Sequence, residues 1–117
     1  MNQADLIKDT CDEIKNLLLR KNHDYGNSFS KQYEKYGMVS GLIRLDDKMS
    51  RLDSLLKNEA LVDESVEDTV MDIAGYAVLL LIELRKKKAS QIETKSIRET
   101  IESLQRSFSL LKGEINE

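Results

Sequence analysis

The chain has 117 residues, 40% of them hydrophobic and 33% charged, which suits one small domain with one core. A net charge of -3 and a pI near 5.3 exclude long nucleic acid as a general partner, because phosphate neutralisation needs an excess of Lys and Arg. One cysteine, Cys11, excludes an internal disulfide and a multi-cysteine metal site, and it fits a reducing cytoplasm.

The N-terminus lacks the basic-then-apolar pattern of a leader. Gln3 to about Lys21 is predicted as a first helix, with Leu6, Ile7, Cys11, Ile14, Leu17 and Leu18 at steps of mostly three and four. On that helix Cys11 reads as a core or interface thiol. The polar stretch KNHDYGNSF follows, with Gly26 as a helix stop and Asn27 or Ser28 as the cap of a short helix ending at Gly37. Met38 to about Lys57 is predicted as the second long helix. Its apolar stripe is Leu42, Leu45, Met49, Leu52 and Leu56, and Arg44, Asp47, Lys48 and Arg51 fall on a different face within roughly 100°.

Asn58 to Val62 reads as a linker and Asp63 as the cap of a third long helix reaching Lys88. This helix is apolar on nearly all sides after Asp72, so it should be the central and most buried one. Its longest apolar run, around Ala77 to Ile82, is too short to span a bilayer, so no membrane partner is expected. Ser90-Gln-Ile-Glu93 matches a capping box and predicts the start of a fourth long helix. There Ile97, Ile101, Leu104, Phe108 and Leu111 recur at steps of four and three, the heptad spacing of a helix that packs on another helix. The expected fold is therefore all-α: a bundle of four main helices plus one short helix in a single domain, 1–117, with residues 91–115 serving packing or oligomerisation. A central helix this apolar outruns the cover that three partner helices give it, which predicts a homo-oligomer, most simply a dimer.

Three constellations carry possible chemistry. Glu64, Asp68 and Asp72 lie at i, i+4 and i+8, and the same face continues into Gly75, Leu79 and Ile82, so the carboxylates point toward a groove. Carboxylates one turn apart suit a hard, oxygen-seeking cation such as Mg²⁺; the competing reading is an acidic first turn favoured by the helix dipole, with Asp72 paired to a nearby base. Arg44, Asp47, Lys48 and Arg51 form either a solvated face with an Asp47–Arg51 pair or a phosphate-holding set. In KNHDYG, Tyr25 would stack on a base, Asn22 would read its edge and Lys21 would reach a phosphate; the alternative is a helix stop and turn. Tyr25, Phe29, Tyr33 and Tyr36 also suit a small satellite core.

The motifs KNHDYGNSF, RLDDKMSRLDSL and VDESVEDTVMDIAGYAVL, in that order, resemble the nucleotide modification associated domain 1 family, frequent in bacteriophages, over Lys21 to about Leu84. The resemblance implies an all-α fold similar to the MazG-like nucleoside triphosphate pyrophosphatases, acting in the cytoplasm of a bacterial host cell. It implies Asp47, Glu64 and Asp68 as catalytic candidates and Glu64, Asp68 and Asp72 as Mg²⁺ ligands; Lys21, Asn22, Asp24, Tyr25, Arg44, Lys48 and Arg51 are the nucleotide contacts expected from the residues themselves. The second helix departs from the E-x-x-E of those enzymes, and Arg44, Lys48 and Arg51 stand where they place carboxylates. Two functions follow: a Mg²⁺-dependent nucleotide pyrophosphohydrolase, or a non-catalytic sponge that sequesters a defence-signalling nucleotide.

Overall fold

A computed structural model describes residues 1–25, 27–57 and 65–115. Among them the chain is all-α, with four helices and no strand: α1 (Gln3–Tyr25), α2 (Ser28–Tyr36), α3 (Met38–Lys57) and α4 (Val66–Ile115). The chain divides into two compact units, Met1–Glu83 and Leu84–Glu117.

Local chemistry sets the element ends. α1 runs on to Tyr25 because Asn22 to Tyr25 contain no Gly or Pro to stop it; the expected stop, Gly26, lies outside the described residues. Asn27 takes a left-handed φ of 65°, a conformation open to Asn, and its side chain makes no capping bond. Gly37, at φ 72°, closes α2 by donating its N–H to Tyr33 O at 2.7 Å. The Ser40 hydroxyl donates to Gly37 O at 2.8 Å, tying the first turn of α3 to that corner. The cap expected at Asp63 and the linker Asn58 to Val62 lie outside the described residues. Ser65 caps α4, its Oγ accepting from Asp68 N at 2.9 Å.

The division into a third and a fourth long helix does not occur. α4 is continuous through Ser90–Glu93, and the Thr94 hydroxyl donates to Ser90 O at 2.9 Å, as in a helix interior. The capping-box residues follow Arg85 to Ala89, all good helix formers, and nothing there breaks the helix. Three long helices and one short helix therefore replace the expected four and one.

In the first unit α4 is the most buried helix, with Thr69, Gly75, Leu80 and Glu83 buried, whereas α1 buries no residue. Phe29 and Leu80 form the buried apolar centre. Among the described residues no buried side-chain nitrogen or oxygen lacks a hydrogen-bond partner. Cys11 is exposed, not a core thiol, because the N-terminal half of α1 packs against nothing that buries it.

Two glycines set how closely the helices approach. A Cβ at Gly41 would lie 2.8 Å from Leu80 Cδ1, and a Cβ at Gly75 would lie 3.1 Å from Leu18 Cδ2. α3 meets α4 at the first point and α1 meets α4 at the second. The Gly41–Leu80 contact also turns α3. Its inward face is Gly41, Arg44, Leu45, Lys48, Leu52 and Leu55, while Leu42, Met49 and Leu56 are exposed. Arg44 and Lys48 thus share the packed face with leucines instead of standing on a separate charged face. Among the described residues no helix is long and apolar enough to cross a membrane.

Gly41→Val should lower stability by about 1–3 kcal/mol, the usual cost of overpacking. Adding Leu80→Ala should recover part of the loss from steric conflict, read as urea midpoints. An unchanged midpoint for Gly41→Val would mean that this approach is not close.

Candidate functional site

The carboxylate of Asp72 is the centre of the site. Lys21 Nζ of α1 lies 3.2 Å from Asp72 Oδ1, and Lys48 Nζ of α3 lies 3.2 Å from Asp72 Oδ2. The helix registers explain both contacts. From the Leu18–Gly75 contact, one turn forward on α1 is Lys21 and one turn back on α4 is Asp72. From the Gly41–Leu80 contact, two turns forward on α3 is Lys48 and two turns back on α4 is again Asp72. Both helices therefore run antiparallel to α4, and each register ends on the same carboxylate.

The environment is mixed. The Lys48 side chain is 14% exposed and that of Asp72 21%, whereas Lys21 remains 46% exposed. Partial burial pushes the Asp72 carboxyl up, and the hydrogen bonds and charges of Lys21 and Lys48 outweigh it, holding the group below its ordinary 3.8.

Beside this cluster Arg44 sits over two rings, its Cζ 5.7 Å from the Phe29 centroid and 5.6 Å from that of Tyr76. Those rings stack on each other at 6.1 Å with an interplanar angle of 24°. Arg44 Nη2 also donates to Gln32 Oε1. Lys21, Asn22, Tyr25, Phe29, Arg44, Asp72 and Tyr76 line one groove, floored by Leu17, Leu18, Gly75 and Leu79. Its cavity is about 80 Å³.

Of the residues expected from sequence, the structure brings Lys21, Asn22, Tyr25, Arg44 and Asp72 to this groove and joins Lys48 to them through Asp72. It leaves others apart. Asp24 is exposed and bonded to His23 Nδ1 at 3.3 Å; Asp47 and Arg51 are exposed on α3; and Asp68 is exposed in the first turn of α4. None of these four lines the groove. Glu64 lies outside the described residues. Among the described residues no three His, Cys, Asp or Glu side chains gather as a metal set, and both Asp72 oxygens hold ammonium groups. Phe29 was legible only as part of a satellite core. Tyr76 carries no signal of its own in the apolar run; only its place one turn after Asp72 points to the groove.

The family described as nucleotide modification associated domain 1 matches residues 21–84, more than half of the chain. The chain belongs to that family. The family segment contains every charged residue of the groove, from Lys21 to Asp72, and it ends at the first residue of the second unit. No curated protein and no solved structure matches the chain.

The Asp72 carboxyl titrates lower in the folded chain than in the unfolded one, so its pairing contributes stability above the unfolded value near 3.8. That contribution should disappear as pH falls through the lower folded value. Urea midpoints should show this decline in the wild type and a smaller one in Asp72→Asn. Identical acid profiles for the two proteins would contradict the pairing.

Proposed function

We propose that the protein binds a nucleotide in the α1–α3–α4 groove and holds it without hydrolysis. The supporting observation is the cationic cluster around Asp72. Lys21, Lys48 and Arg44 outnumber the single carboxylate between them, beside a stacked Phe29–Tyr76 pair. Such a site offers charge to phosphates and an aromatic, apolar wall to a base. Membership in a nucleotide-associated family agrees with this reading.

Asp72 has a clear role in it. Without ligand it neutralises two lysines that would otherwise repel each other in a half-buried place. A phosphate replaces part of that attraction. The present cavity is too small for a nucleotide, so binding requires the outer edge to move. Lys21 and Tyr25 form that edge, both well exposed, at the end of a helix that buries none of its own residues. Lys48 stays in place as the inner contact, and Asn22 reads the edge of the base. Biologically this is a sponge: a cytoplasmic, phage-encoded homo-oligomer that sequesters a defence-signalling nucleotide.

The second reading is a MazG-like, Mg²⁺-dependent pyrophosphohydrolase. Its support is Asp68, one turn before Asp72 on α4, together with Glu64 in the E-x3-D-x3-D spacing. The lysines on Asp72 favour the first reading, because they occupy the oxygens that a metal would need.

A nucleotide panel, scored by thermal shift and by product chromatography with and without Mg²⁺, separates the two. Lys48→Ala should weaken binding at least tenfold, the scale of a lost charge-assisted hydrogen bond of about 1.5–3 kcal/mol. Asp68→Asn should leave binding intact. Product formation that Asp68→Asn lowers by roughly a hundredfold would select the hydrolase, and undiminished affinity in Lys48→Ala would remove the groove from either account.

A further inference from the structure

The second unit consists of a helical segment whose residues Leu84 to Gly113 are all exposed. A lone helix in water draws little stability from propensity alone, and its usual support is a packed apolar face. This segment has such a face. Ile97, Ile101, Leu104, Phe108 and Leu111 recur at alternating steps of four and three and are each between 49% and 70% exposed. They form a seam two residues wide, the width that one further helix covers.

We infer that the occupant is the same segment of a second copy, running parallel and in register. The heptad frame puts Thr94, Ile101 and Phe108 at the a positions and Ile97, Leu104 and Leu111 at d. Ile at a with Leu at d, as in the central Ile101–Leu104 layers, favours two strands. Direction follows from the flanking charges. Glu93 falls at a g position and Arg98 at the e position of the next heptad, the two places that meet across a parallel pair. Two copies in register therefore set Glu93 of each beside Arg98 of the other, and the remaining g–e' contacts, Thr100 to Gln105 and Ser107 to Lys112, bring no like charges together. An antiparallel pair with Ile101 opposite Leu104 places Glu93 more than a dozen residues along the axis from Arg98 of the second copy, and both ion pairs are lost.

This pairing rests on the homo-oligomer reading and adds the segment and its direction. It lies outside the family segment, which ends at Leu84, and needs no residue of the groove.

The test uses full-length protein carrying Cys11→Ser, with one new cysteine at a time. Thr94→Cys, at an a position, should give a disulfide-linked dimer under mild oxidation, because a residues meet their own copies in a parallel pair. Ser103→Cys, on the outer side of the helix, should not. Adding Ile101→Asp to Thr94→Cys should lower the linked fraction at least about tenfold, since a charge enters the seam, while far-ultraviolet circular dichroism reports whether the first unit stays helical. A wild-type monomer by light scattering at micromolar concentration would overturn both the homo-oligomer reading and this one. A wild-type dimer in which Thr94→Cys links no better than Ser103→Cys would overturn the parallel pairing alone.

Discussion

The structure depends on one carboxylate shared by two lysines from two helices. Asp72 sits in the half-buried interior of the first unit, where an unpaired charge would be costly, and Lys21 and Lys48 each take one of its oxygens. Neither lysine reaches it by local sequence. Lys21 is 51 positions away in the chain, and it arrives only because Leu18 packs at Gly75 one turn off. Lys48 arrives because Leu80 fits against Gly41 two turns off. Packing at two glycines therefore fixes an electrostatic arrangement at a third point. The value of that arrangement is positional: it selects one register for both helices against α4, whatever its net contribution to stability.

The same arrangement sets the charge of the groove. A carboxylate with free oxygens would attract a cation. One already holding two ammonium groups presents a net positive edge, which Arg44 extends along the Phe29 and Tyr76 rings. The ring pair and the Gln32 contact hold the guanidinium in one orientation. The inner wall is built from α3 and α4. The outer wall is the exposed end of α1.

Much of this is legible in the sequence, and the rest fails for definite reasons. The inward position of Asp72 follows from its place on the face that continues into Gly75 and Leu79. The extent of α3 and the Gly37 corner follow from turn chemistry. The face of α3 follows only in part: of the expected stripe Leu42, Leu45, Met49, Leu52 and Leu56, Leu45 and Leu52 lie inward, but the close approach allowed by Gly41 turns Arg44 and Lys48 inward beside them and leaves Leu42, Met49 and Leu56 exposed. Long-range packing there overrides the apolar pattern. The break expected at Ser90 does not occur because a capping box is a start signal only where something ends the preceding helix. Arg85 to Ala89 do not. Tyr76 is invisible for a third reason: an aromatic within an apolar run reads as core until the neighbouring helix, with its arginine, is in place.

The central claim is that the cations around Asp72, and no bound metal, hold the phosphates of a nucleotide. Calorimetric titration of the wild-type protein with the strongest ligand of a nucleotide panel, first in excess chelator and then in Mg²⁺, tests it most directly. The account predicts saturable binding in chelator, with affinity equal to or greater than that in Mg²⁺, because a cation on the phosphates competes with Lys21, Lys48 and Arg44. Binding that appears only when Mg²⁺ is present would contradict it.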